Sequence, residues 1–288
     1  MIVVKLIGGL GNQMFQYAFG RSLAIQHNTD LFFDTRDLES KNPNHIQRHF
    51  SLNNFKIAAT VYQSTLNIEG DKKENFLRRI FSSSKDKLKF ISEKKLHFDK
   101  EIGRVPDNVY LNGYWQSPLY FKDAEDIIRK DFTFINLSSK NAEGLLQKIK
   151  SSNAVSIHVR RGDYVNNPET LSYHGVCGIE YYQKAMEIIK TKVPDPVFFI
   201  FSDDPAWVEQ NFLLSNDTIL VSNKEFSQFD DLQLMTACKH AIIANSSFSW
   251  WGAWLINNPG KTVVAPLKWL QNDSINTDDL FPRTWIRI

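Results

Sequence analysis

Cysteine is scarce, with only Cys177 and Cys238 in 288 residues. They lie far apart and fit no metal-ligand spacing, which excludes a disulfide-stapled scaffold and any readable zinc site and favours a reducing cytosol. Long apolar runs are lacking too. The opening "MIVVKLIGGLG" is too short for a signal-peptide core with its cleavage site and far too short to span a bilayer. Net charge is almost absent: 34 basic against 32 acidic side chains leave +2, which argues against a chain that wraps nucleic acid through its overall field. No internal repeat or low-complexity tract is present.

What is there belongs to a soluble globular protein. Hydrophobic residues make up 42% and charged residues 23%, and the length suits two domains that each bury a core. Charge is unevenly spread. Between Asp71 and Arg104, eleven Lys or Arg face six Asp or Glu, a basic patch that is either a solvated surface or a contact to anionic lipid or a phosphorylated acceptor.

The chain opens with "MIVVKLI", an apolar β-rich run, then "GGLGNQ", then apolar residues at helical spacing from Phe15 to Ile25, then "DLFFD". This predicts a βαβ unit. Residues 41–104 are polar and predict helices and loops. "NVYLNGYWQ" predicts a strand, and "SPLYFKDAEDIIRKDF" a helix with Ser117 as N-cap and Pro118 at its first position. After a helix in "AEGLLQKIKSSN", a domain boundary is expected near residue 150. Beyond it, strands and helices alternate from "AVSIHV" to "TVVAP", which predicts a parallel, doubly wound sheet.

In such sheets ligands bind beyond the carboxyl ends of the strands. Three polar clusters fall there: "HVRRGDY", "FSDDP" and "ANSSFSWW". Arg160 and Arg161 offer planar forks suited to phosphate; each could instead pair with Asp163 or another carboxylate, but both are not expected to be structural. One of Asp203 and Asp204 suits the N-cap of the next helix, and the other could read paired N–H donors of a base. Ser246 and Ser247 open a helix whose free amides favour an anion, while Phe248, Trp251 and Leu255 follow core spacing. The early "GGLGNQM" carries Gly9 and Gly11, with Asp34 as a ribose partner, but Met14 stands where a dinucleotide fingerprint needs glycine. Tyr114, Trp115 and Gln116 could stack on a sugar or simply fill a core.

Three readings compete. One is a transferase holding a nucleotide diphosphate in its second half. Another is a nicotinamide-dependent oxidoreductase using the glycine loop and Asp34, and a third is a non-catalytic sugar-binding protein, which would not need the arginine pair. The clustering of phosphate-competent features in the second half favours the first.

"GGLGNQMFQYA" at 8–18, "HVRRGDY" at 158–164, "FSDD" at 201–204 and "NSSFSWWGAWL" at 245–255 together resemble glycosyltransferase family 11, the α-1,2-fucosyltransferases. Similarity in "GYWQSPLYF" and "YHGVCGIEYYQKA" points to bacterial members that build fucosylated polysaccharide or O-antigen. The resemblance implies a GT-B architecture, two Rossmann-like α/β domains facing across a cleft. Residues 1–150 would bind the acceptor and 151–288 the donor. It implies inverting transfer of L-fucose from GDP-L-fucose to the 2-hydroxyl of a galactoside, with no metal and no cofactor. The donor would meet His158, Arg160, Arg161, Asp203, Asp204, Asn245, Ser246, Ser247 and Phe248. Gly9, Gly11, Asn12, Gln13, Tyr114, Trp115 and Gln116 would face the acceptor or cleft. Arg160 would stabilise the leaving group, with Asp163, His174 and Asp34 as candidate bases. A cytoplasmic location follows, with peripheral contact to the inner membrane through 71–104 where the acceptor is lipid-linked; nucleic acid is not expected as a partner.

Overall fold

The structure is a computed structural model that describes residues 1–38, 48–62, 88–135, 140–222 and 225–288, without the side chains at 61, 62, 140, 141 and 163. It divides into two compact units, one comprising Met1–Thr133 with Thr277–Leu280, the other Phe134–Asn276 with Phe281–Ile288.

The first unit is built on five parallel strands, β1 (Ile2–Lys5), β2 (Leu31–Asp34), β3 (Thr60–Tyr62), β4 (Lys89–Ser92) and β5 (Val109–Asn112), in the order β3-β2-β1-β5-β4. Helix α1 (Leu10–His27) follows β1 directly, as the opening pattern predicts. It lies so close to the sheet that a β-carbon on Gly20 would sit 2.4 Å from Val4 Cγ2 and 2.9 Å from Leu31 Cδ1. The glycine for tight helix–strand packing is thus Gly20, not a residue at position 14.

Two expectations fail in this unit. Residues 41–104 contribute β3 and β4, not only helices and loops. β4 is an edge strand in which Ile91 alone is buried and Phe90 is half exposed, so its sequence lacks the apolar signal of a core strand. The helix expected from Ser117 is two 3-10 turns, Pro118–Tyr120 and Lys122–Ala124, followed by a short α2 (Glu125–Asp131). Ser117 does cap the first turn, accepting from the Leu119 amide at 3.3 Å, and its hydroxyl donates to Asp279 O at 2.7 Å.

The second unit has six parallel strands, β6 (Asn153–Val159), β7 (Pro196–Ser202), β8 (Thr218–Leu220), β9 (His240–Ile242), β10 (Val263–Ala265) and β11 (Ile286–Arg287), ordered β11-β10-β9-β6-β7-β8. β11 gives no sequence signal at two residues. Around the sheet run α3 (Lys140–Lys150), α4 (Gly162–Asn166), α5 (Pro168–His174), α6 (Ile179–Lys190), α7 (Pro205–Asn211), α8 (Gln228–Ala237) and α9 (Ser247–Trp254).

Strand periodicity sorts the core into two layers. Val155, Ile157, Val159, Phe198 and Ile200 pack under Tyr182, Ala185 and Ile189 of α6. Ala154, Phe199 and Phe201 pack on the other side against Ala142 and Ile149 of α3 and Leu234 and Met235 of α8. Because α3 buries its apolar face in this second core, the units divide at Thr133/Phe134 and not near residue 150. Behind the start of α9, Trp250, Trp251 and Trp254 pile together with Trp285.

The stretch "NNPETLSYHG" contains α5. Asn167 caps it by accepting from the Thr170 amide at 3.0 Å, Pro168 fills its first position and Gly175 follows its last residue. These are ordinary start and stop signals, masked by the lack of an apolar face.

Candidate functional site

β6, β7 and β9 are neighbours in one parallel sheet, so the three polar clusters emerge from the same edge. His158 lies at the end of β6 and is 4% exposed. Burial, then the Arg160 charge, pulls its pKa down to about 3, so the imidazole is neutral at physiological pH. Its Nδ1 makes no hydrogen bond, and its ring lies 5.3 Å from that of Phe248.

Both guanidiniums that follow are paired. Arg160 Nη1 lies 2.9 Å from Asp203 Oδ2, and its guanidinium sits 5.4 Å over the Tyr164 ring. The Arg161 amide donates to Asp203 Oδ1 at 2.8 Å, while its side chain reaches Asp204 Oδ2 at 3.5 Å and covers Trp207 at 4.4 Å. Asp204 also caps α7 through the Trp207 amide at 3.1 Å. The two aspartates therefore aim the arginines. The Asp203 contact positions the Arg160 fork at the strand end.

Ser246 is the N-cap of α9 but makes no side-chain capping bond. The amides of that first turn have no carbonyl ahead of them in the helix, and with the helix dipole they favour an anion. Asn245, by contrast, is 3% exposed and fully engaged. Its amide donates to His174 O at 2.8 Å and to Gly175 O and Trp269 O at 3.4 Å, and Cys177 Sγ lies 3.7 Å from its oxygen. It ties the end of α5 to the strand edge and does not face a ligand. The His174 ring stacks on Tyr164 at 4.8 Å, and Asp163 belongs to α4, the short helix that also carries Tyr164.

One carboxylate escaped the sequence reading. Asp231, in the first turn of α8, accepts from Ser222 Oγ at 2.7 Å through Oδ2, while Oδ1 has no hydrogen-bond partner. Burial, opposed by Ser222 and reinforced by Asp230, pushes its pKa up to about 6. Ser222 accepts from the Ser202 amide at 3.0 Å, and Ser202 Oγ accepts from the Asp204 amide at 2.9 Å, so Asp231 joins the same network. Its trace in the sequence is a doubled acid where one suffices: Asp230 already forms a capping box with Ser227.

In the first unit, Gly9 is the N-cap of α1 and Gly11 is buried in its first turn. Asn12 Oδ1 accepts from Gln116 Nε2 at 2.8 Å. Gln13 is fully buried, its amide donating to Gly8 O and His49 O and accepting from the Ser51 amide, so it holds the loop and does not face an acceptor. Trp115 is likewise fully buried against Phe19 and Tyr120, whereas Tyr114 is 39% exposed. Asp34 is clamped by Arg36 and by Tyr110 Oη at 2.7 Å. Burial pushes its carboxyl up, but those bonds prevail and hold it below the usual range, which makes it a poor base and leaves no partner for a ribose. Residues 71–87 of the basic stretch lie outside the described residues.

Among the described residues no group of three or more His, Cys, Asp or Glu is placed to hold a metal ion, and no helix is long and apolar enough to cross a membrane. The family model for glycosyl transferase family 11 matches residues 1–288. The chain belongs to glycosyl transferase family 11. It is 36% identical to an α-1,2-colitosyltransferase of Escherichia coli, over all of this chain and 99% of that protein. It is 32% identical to the O-antigen biosynthesis glycosyltransferase WbnK of Escherichia coli, over 98% and 99%. Galactoside α-(1,2)-fucosyltransferase 2 of Sus scrofa is 26% identical over 91% of this chain and 71% of its own. The fold is shared with NodZ, an α-1,6-fucosyltransferase soaked with GDP-fucose, whose match covers 88% of this chain and 92% of its own with a TM-score of 0.51 at 17% identity. The architecture is GT-B, two Rossmann-like α/β units, and the protein is a glycosyltransferase, which sets hydride transfer aside.

Proposed function

We propose that the protein is an inverting α-1,2-glycosyltransferase that moves L-fucose from GDP-L-fucose to the 2-hydroxyl of a galactoside during O-antigen or surface polysaccharide synthesis. The observation that carries this reading is the anion seat of the second unit. Arg160, aimed by Asp203 at 2.9 Å, and the start of α9 leave neighbouring strands at one sheet edge. As the bond from sugar C1 to the diphosphate oxygen breaks, positive charge grows on the ring and negative charge on the β-phosphate. Arg160 and the α9 amides stabilise the latter in place of a metal ion.

The acceptor 2-hydroxyl attacks C1 from the opposite face, the GDP oxygen leaves with the bonding pair, and the hydroxyl proton passes to a base. Asp163 and His174 are the groups offered for that role. Asp203 and Asp204 are occupied by the arginines, so the base of the nucleotide falls to Asp231, whose Oδ1 is buried and unbonded and suits an N–H donor of guanine. The first unit would bind the galactoside.

A second donor has its own support in the 36% identity to a colitosyltransferase. Colitose is fucose without the 3-hydroxyl. A site that hydrogen-bonds that hydroxyl rejects the analogue lacking it by about 10⁴-fold, whereas a site with no partner for it accepts both. Comparing kcat/KM for GDP-fucose and GDP-colitose decides between them. Calorimetric titration with GDP, UDP and NAD in EDTA tests the seat itself. Tight GDP binding that is lost in Arg160→Ala supports it; NAD binding with none of GDP overturns it.

A further inference from the structure

The turn that joins β5 to Ser117 is held open by a carboxylate from the neighbouring strand. Glu93 follows β4, and both of its oxygens are used: Oε2 accepts from the Tyr114 amide at 2.7 Å and Oε1 from the Trp115 amide at 3.0 Å. Its own amide donates to Asn112 O at 2.9 Å, extending the β4–β5 ladder to the edge of the turn. A side chain at Gly113 would displace it, since a β-carbon there would stand 2.4 Å from Glu93 Cβ.

This tether holds a backbone that would not stay put by itself. Trp115 has φ of 56°, the left-handed region, which is costly for a bulky residue and persists only where surrounding contacts fix it. Its indole is locked between Phe19 and Tyr120 with Nε1 buried and unbonded. The reversed backbone leaves Tyr114 39% exposed and brings Gln116 to Asn12 at 2.8 Å. A buried anchor, a strained link and an exposed tyrosine describe a turn shaped for presentation, not for packing.

We infer that Glu93 is a positioning residue for the acceptor. By holding the 113–116 turn it presents the Tyr114 ring as a stacking platform for the apolar C–H face of a hexopyranoside, with the Gln116 amide and Asn12 beside it to read hydroxyls. This rests on the acceptor role proposed for the first unit. Glu93 belongs to the first unit and the anion seat to the second, so its loss acts on acceptor binding and leaves the nucleotide alone.

The test is Glu93→Gln, which keeps one acceptor oxygen, alongside Glu93→Ala, which keeps none, and a cycle with Tyr114→Ala. Initial rates are measured with lactose as the acceptor probe and whichever GDP-sugar the wild type uses. The expected result is an acceptor KM raised about tenfold in Glu93→Gln, with GDP affinity within twofold of wild type. Glu93→Gln and Tyr114→Ala should be non-additive, because the first acts through the second. Unchanged acceptor KM in folded Glu93→Gln, or multiplicative losses in the cycle, overturns the inference while leaving glycosyl transfer intact. Hydrogen exchange at the Tyr114 and Trp115 amides reads the tether without any substrate. Faster exchange in Glu93→Gln supports it, and unchanged protection overturns it even where lactose is not an acceptor; absence of transfer from any GDP-sugar by the wild type counts against the proposed function instead.

Discussion

Replacing Asp231 by asparagine should stabilise the fold while weakening the nucleotide. The folded pKa of about 6 lies above the ordinary value of 3.8, so the native state holds this proton more tightly than the unfolded chain does. Stability contributed here is therefore fully present below about pH 4, declines as pH rises to about 6, and is flat beyond. A shift of about two units corresponds to about 3 kcal/mol against the ionised form at pH 8. The amide of Asp231→Asn cannot ionise, keeps the shape and can still accept from Ser222, so a gain of about 1–3 kcal/mol is expected, or several degrees in Tm. The same change removes a charge-assisted acceptor for the base, a loss of about 10- to 100-fold in GDP affinity. Wild-type GDP affinity should itself fall as pH drops through 6, and the preference for GDP over IDP, which lacks the 2-amino donor, should shrink in the variant. Melting curves at pH 5 and pH 8, with titrations of both nucleotides, check all of this. A variant that melts higher at pH 8 yet binds GDP as tightly as wild type would refute the base-reading role and leave Asp231 as a merely strained carboxylate.

Arg160→Ala is expected to lower kcat by about 10²-fold or more, as for a lost oxyanion donor, read in steady-state transfer; near wild-type turnover refutes its leaving-group role. Asn245→Ala strips the end of α5 of its donors and should cost about 2–4 kcal/mol of stability, visible in urea melts; a loss of GDP affinity with unchanged stability would contradict its structural assignment. Gly20→Ala forces a β-carbon against Val4 and should cost about 1–3 kcal/mol by overpacking, checked by thermal melting. The His158 imidazole should show no titration between pH 5 and 8 by NMR, because burial keeps it neutral; a midpoint near 6.5 would show the site to be wetter than the structure has it.

The alternation of strands and helices was legible because the parallel strands are buried on both faces and read as plain apolar runs. β4 was not, since only Ile91 of its four residues faces the core. The donor-side clusters were legible as a set because strand ends in a parallel sheet share an edge, and this needs only topology. The division of labour among their residues was not. Asn245 and Ser246 look equally polar in the sequence, but one amide is spent on three carbonyls and the other side chain makes no capping bond. Asp203 and Asp204 drew attention because they follow a strand, while Asp231 was hidden in a helix start, where acids are common for reasons of the dipole alone. Glu93 carried no motif. Its role depends on the neighbouring strand bringing the 113–116 turn alongside, a relation of register that a linear pattern does not contain.

Thr277–Leu280 groups with the first unit although it comes after nearly all of the second, and Asp279 supplies the carbonyl that Ser117 binds at 2.7 Å. Neither unit is therefore a contiguous piece of chain. A fragment ending at residue 133 would lack the last strap of its own body, and a growing polypeptide cannot finish its first unit until residues 277–280 leave the ribosome. The second unit is incomplete at that moment too, since β11 still has to dock at the edge of its sheet. Residues 277–288 thus complete both units, and no single cut of the chain separates them whole.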